Sequence, residues 1–65
     1  MRHLTLIGEM AKKKVTIEAM AECLNTHRNT VSYNLNEGSF YVEEAQKIRN
    51  AFFPEWKIED LFRRE

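Results

Sequence analysis

The stretch Thr16–Glu37, TIEAMAECLNTHRNTVSYNLNE, decides the fold. Met20, Ala21 and Leu24 stand at i, i+1 and i+4 and share one helical face. Val31 and Leu35 stand at i and i+4 and form the inner face of another helix. The spacing predicts helices over Ile17–Leu24 and Arg28–Asn36, joined by a tight turn at Asn25, Thr26 and His27. Thr16 suits an N-cap, where its hydroxyl accepts an unpaired N–H. Asn25 suits the bend, because Asn tolerates left-handed backbone better than most residues with a side chain. Ala21 is small and lets the following helix come close.

The outer face of the helix over Arg28–Asn36 carries Arg28, Asn29, Ser32, Tyr33 and Asn36, with Asn34 at its side. Asn and Ser are mediocre helix formers. A helix serving only as surface more often carries Glu and Lys. No acidic residue occurs from Cys23 to Asn36. This acid-free polar ridge is the main sign of a role beyond folding; plain solvated surface is the alternative.

On the N-terminal side, residues 3–13 read as a first helix. Leu4, Ile7 and Ala11, with Leu6 and Met10, form a stripe toward the core. Gly8 weakens that helix by about 1 kcal/mol against Ala, so it hints at close packing. Lys12, Lys13 and Lys14 suit the negative end of the helix. On the other side, Glu37, Gly38 and Ser39 turn the chain. The next helix spans about Tyr41–Phe53, with Glu43 and Glu44 favouring its first turn and Val42, Ala45, Ile48 and Phe52 facing inward. Pro54 stops it, because the residue before a proline avoids the helical region. A short fifth helix, about Ile58–Arg63, presents Ile58, Leu61 and Phe62.

Sixty-five residues make one domain with a thin core, residues 1–65 as a unit. The composition, 43% hydrophobic and 31% charged, is that of a globular protein. One cysteine excludes an internal disulfide and fits a cytoplasmic setting. No apolar run approaches a membrane span or a signal peptide, so no membrane partner is expected. Ten basic and ten acidic residues give a net charge of zero, which weighs against a nucleic-acid partner. The distribution softens that: Lys12, Lys13, Lys14 and Arg28 lie in or before the 16–37 stretch, and acid collects after Ser39.

Ala21, Asn25, Thr30, Val31 and Ser32 stand where phage Cro and repressor proteins, the XRE group, have a small Ala, a turn residue and a hydroxyl-rich helix. The stretch 16–37 therefore resembles their helix-turn-helix. The run SFYVEEAQKIRNAFFPEWKIEDLF resembles the last two helices of small phage repressors, so the resemblance covers about Leu4 to Phe62. It implies an all-α, compact five-helix bundle, a lambda-repressor-like DNA-binding domain. It also implies a transcriptional regulator on a double-stranded DNA operator. In that group the start of the second motif helix enters the major groove. By resemblance, Arg28, Asn29, Ser32 and Tyr33 match base-facing positions, and Thr16, His27 and Asn36 match positions that touch the DNA backbone. Lys13 and Lys14 add positive charge for phosphates.

Two departures stand out. Many members have Gln where this chain has Ile17. Many also bury an Arg–Glu pair at positions that match Met10 and Leu35; two fitting apolar groups there need not lower stability.

Trp56, Ile58, Leu61 and Phe62 crowd the C-terminal third. An apolar patch there predicts a symmetric homodimer through Pro54–Phe62, with two recognition helices about one turn of DNA apart. The length leaves no room for the further domain of larger repressors. The alternative is a protein-interaction module, an antirepressor or partner-binding domain, which zero net charge and the apolar tail favour. Enzymatic activity is the least expected: Glu59 and Asp60 are adjacent and do not face each other on a helix. No catalytic grouping or glycine-rich phosphate loop occurs. His3, His27 and Cys23 fit no zinc spacing, so no metal, cofactor or small-molecule substrate is expected.

Overall fold

A computed structural model describes residues 2–65. The chain forms α1 (Leu4–Lys13), α2 (Ile17–Leu24), α3 (Arg28–Asn36), α4 (Val42–Phe52) and α5 (Ile58–Leu61). No strand occurs among the described residues. The helices fold into a near-sphere of 25 × 24 × 22 Å.

Each boundary has a local cause. The Thr16 hydroxyl accepts from the Ala19 N–H at 3.0 Å and caps α2. Asn25 takes the left-handed conformation (φ 54°) and ends it. The Asn25 N–H then donates to Glu22 O at 3.1 Å and the Thr26 N–H to Ala21 O at 2.9 Å. This paired closure satisfies carbonyls that the helix end would orphan. The same closure ends α1, where Lys14 is left-handed (φ 56°) and the Val15 N–H reaches Met10 O at 2.9 Å. Nothing in residue type announces it, since a lysine has no special ease in that conformation. Glu44 accepts from the Tyr41 N–H at 3.0 Å and ties down the start of α4. Helix α4 stops just ahead of Pro54.

The core gathers Leu6 and Met10, Met20 and Ala21, Val31 and Leu35, Ile48, Phe53 and Leu61. Three expectations change. Leu6 and Met10 define the inward side of α1, and Leu4 and Ala11 lie roughly a third of a turn away on the helix. Leu4 is therefore 47% exposed and Ala11 faces solvent. On α4, Ala45 and Ile48 are buried, but Val42 is 70% exposed at the open first residue. Gly8 is not a close approach: a Cβ built there meets nothing within 4 Å. Gly38 is the packing glycine, since a Cβ there would fall 2.8 Å from Tyr33 Cε2.

His3, which fits no metal spacing, lies inside, 1% exposed. Its Nδ1–H donates to Leu35 O at 3.3 Å. Its ring stands edge-on to Phe40 (5.5 Å between centroids) and Phe62 (6.3 Å), which meet each other at 5.6 Å. The cluster ties α1 to the end of α3, the α3–α4 loop and α5. Burial strips water from the imidazolium and holds the ring's pKa below its ordinary value; the Leu35 carbonyl opposes this and Arg64 adds to it. Arg2 and Glu65 exchange backbone hydrogen bonds (2.9 and 2.8 Å) beside this cluster.

Two outcomes follow for stability. Gly8→Ala should raise unfolding free energy by about 1 kcal/mol, because the helix gains propensity and meets no obstacle; urea denaturation checks it. Burial lowers the His3 pKa in the fold, so below about pH 6.5 the unfolded chain binds a proton more readily than the folded one. Stability should be full above that pH and fall on acidification until the lowered native value is passed. In a His27→Asn background, which removes the other histidine, adding His3→Phe should flatten this slope, read as urea midpoints from pH 8 to 5.

Candidate functional site

Two long side chains link the first turn of α2 to the first residue of α3. Arg28 NH1 is 3.2 Å from Glu18 Oε2, across the turn that joins the two helices. The α2–α3 packing turns Val31 and Leu35 inward (0% and 3% exposed). Away from that stripe Asn29, Thr30 and Tyr33 are exposed and Ser32 is half-buried; Arg28 shares the stripe of Val31 and Leu35 (i, i+3, i+7) and is exposed because it opens the helix. Asn29, Ser32 and Tyr33 thus share the outward side, and Arg28 stands at its edge, exposed at the helix start.

His27 has a role that residue type did not announce. Its Nδ1 accepts from the Asn29 N–H at 3.1 Å and caps α3. An accepting Nδ1 leaves the ring proton on Nε2, so the exposed ring also offers a donor. Thr16 is similar: its oxygen accepts within the cap, and its hydroxyl hydrogen remains free to donate. Tyr33, 59% exposed, is fixed against Gly38, which admits its ring edge.

Other expected residues are occupied. Lys13 pairs with the Glu55 carboxylate, donates to Phe52 O at 3.3 Å and sits 5.3 Å from the Phe53 ring centroid. That bond holds the Glu55 carboxyl below its usual range. Lys13 thus fastens α1 to the end of α4. Lys12 pairs with Glu9 at 3.2 Å. Glu9 is held below the usual carboxylate range by Lys12 first and then by the Trp56 indole. Lys14 stays exposed, two residues before the α2 cap. Asn36 is spent inside the molecule: its Oδ1 accepts from Arg2 Nε at 3.2 Å and its Nδ2 donates to Ser32 O at 2.9 Å.

The C-terminal patch is smaller than expected. Leu61 is fully buried within its own chain and has no surface to offer a second copy. Trp56, Ile58 and Phe62 are half-buried, and the Trp56 indole donates to Glu9 at 3.1 Å. The most exposed large apolar groups lie elsewhere, at Tyr41 (79%), Val42, Tyr33 and Leu4. Met10 and Leu35 do come together, lining an open cavity of about 220 Å³ with Ile7, Ile17, Arg2 and Asn36. Among the described residues, no His, Cys, Asp and Glu grouping could hold a metal ion, and no helix is long and apolar enough to cross a membrane. Cys23 is half-buried, its Sγ 3.9 Å from Lys47 O.

Comparison of the chain with protein-family models, with curated proteins and with solved structures returned no match.

Removing the α3 cap should cost stability. His27→Ala should lower unfolding free energy by about 1 kcal/mol, and His27→Asn should restore most of it, because Asn is a strong N-cap. Lys13→Ala should lower the urea midpoint and Lys14→Ala should not.

Proposed function

We propose that this chain binds double-stranded DNA sequence-specifically, as a small Cro- or repressor-like regulator of phage or prophage type. In this reading α2, the turn and α3 act as a helix-turn-helix. The observation that carries it is the exposed, acid-free side of α3, Asn29, Ser32 and Tyr33, with Arg28 at its edge joined to Glu18 in the first turn of α2. Nine residues make α3 roughly 13 Å long, and a major groove about 12 Å wide admits such a helix.

Arg28 then pairs with guanine O6 and N7, and Asn29 with adenine N6 and N7. Tyr33 packs its ring on a thymine methyl, with Ser32 beside it. Thr16, the Nε2–H of His27 and Lys14 donate to phosphates, which set position and not sequence. Lys13 and Asn36 drop out of the contact set, because each is bound within the fold. With net charge zero and few free cations, non-specific affinity is weak, so specificity rests on the base contacts.

One α3 touches only a few base pairs, so the reading includes a homodimer that places two copies in successive grooves. The half-buried rims of Trp56, Ile58 and Phe62 are what the C-terminal segment has left for pairing. The second reading, a protein-interaction module, is favoured by the exposed Leu4, Tyr41 and Val42, which the DNA reading does not use.

Selection of duplexes from a random pool, followed by fluorescence anisotropy, tests the proposal. Arg28→Ala and Asn29→Ala should each relax preference at one base position by about 1–3 kcal/mol. Lys14→Ala should weaken all sequences alike and reduce the salt slope by about 1, while Lys13→Ala leaves the slope unchanged. Sedimentation with the selected duplex should show two copies bound. Recovery of no duplex at low salt would overturn the DNA reading.

A further inference from the structure

Arg28 stands where folding alone would not put a cation. It is the first residue of α3, and the start of a helix carries a partial positive charge that disfavours Lys and Arg. Glu18, in the first turn of α2, has the opposite fit. The fold sets the two against each other across the turn, NH1 to Oε2 at 3.2 Å, both side chains about 60% exposed (61% and 60%). The carboxylate offsets the misplaced charge. It also restricts a long side chain that would otherwise sweep through many rotamers.

The geometry of the bond matters more than its strength. A guanidinium is a planar fork with donors on more than one edge. The contact to Glu18 takes NH1. The Nε–NH2 edge is left for a ligand, and that edge supplies two parallel donors spaced for two acceptors. Guanine O6 and N7 are such a pair in the major groove.

Resting on the DNA-binding reading, we infer that Glu18 is a positioning residue for sequence recognition. It holds Arg28 with its free edge aimed at a guanine, and so sets preference at one base position without touching the base. A carboxylate facing a phosphate backbone would otherwise only repel it. Paired with Arg28, it is neutralised and serves to orient.

The test compares selectivity ratios, since removal of any acidic group raises affinity for every duplex. The probe is a duplex selected from a random pool with the wild-type chain, together with versions changed at each base pair. Arg28→Ala first identifies the guanine that Arg28 reads. At that position the wild type should favour guanine about tenfold or more. Glu18→Ala should cut this ratio about two- to fivefold, the range for an exposed ion pair. Glu18→Gln, which keeps an oxygen acceptor for the guanidinium, should retain most of the ratio. Ratios at the other positions should not move in either variant. If Glu18→Ala and Glu18→Gln both raise affinity for all duplexes and leave the guanine ratio intact, Glu18 is only a repulsive charge and the inference is overturned. The inference also falls, with the DNA reading standing, if selected duplexes bind but no position responds to Arg28→Ala. Failure of the wild type to bind any duplex would instead strike the DNA reading itself.

Discussion

Everything outward on this molecule depends on how closely α3 is held to α2. Ala21 is buried at the crossing and contributes one methyl group, and Val31 of α3 is sealed in the same cluster. The turn between them is closed by Asn25 in left-handed backbone, with Thr26 returning a hydrogen bond to Ala21 O at 2.9 Å. A larger residue at 21 would wedge the helices apart; a β-branched residue at 25 would resist the turn. With both in place, Leu35 must also face inward, one turn beyond Val31. The polar residues of α3 have only the outside left. The ridge is thus a by-product of core packing, and its chemistry was free to vary.

The charges show how a small protein divides its polar groups between structure and surface. A core this thin is supplemented at its edge: Lys13 locks α1 to α4, Glu9 binds both Lys12 and the Trp56 indole, and Arg2 holds the amide of Asn36. These groups are polar in the sequence yet hold the fold. Those at the α2–α3 end are arranged differently. Thr16 and His27 cap helices and still keep one donor each, and Arg28 keeps one edge of its guanidinium open. Groups that satisfy the fold with part of their bonding capacity and offer the rest outward are what a recognition surface needs.

Much of the helical layout was legible in the sequence. The period of Met20, Ala21, Leu24, Val31 and Leu35, the Thr16 cap, the Asn25 bend and the Pro54 stop each rest on a local rule, and local rules act on neighbouring residues. What stayed hidden depends on contacts across the chain. Nothing in local spacing announces the burial of His3, which Phe40 and Phe62 bring about. Gly8 reads as a close approach and Gly38 as a mere breaker, whereas only the latter faces a neighbour. Lys13 looked free because Glu55 is far along the chain. For the candidate site, the exposed face of α3 was legible from periodicity. The Glu18–Arg28 pair was not, because ten residues and a turn separate the partners. Leu61 belonged to the core and not to a surface, a distinction that apolar character alone does not make.

The central claim is that the ridge of α3, together with the starts of α2 and α3, is the face that meets DNA. Backbone amide NMR of the labelled chain, titrated with a duplex selected from a random pool, tests it most directly. The account predicts that shifts concentrate at Lys14–Glu18 and His27–Tyr33, with α4 nearly still. Shifts centred on Leu4, Tyr41 and Val42, or no shifts at any duplex concentration, would contradict it.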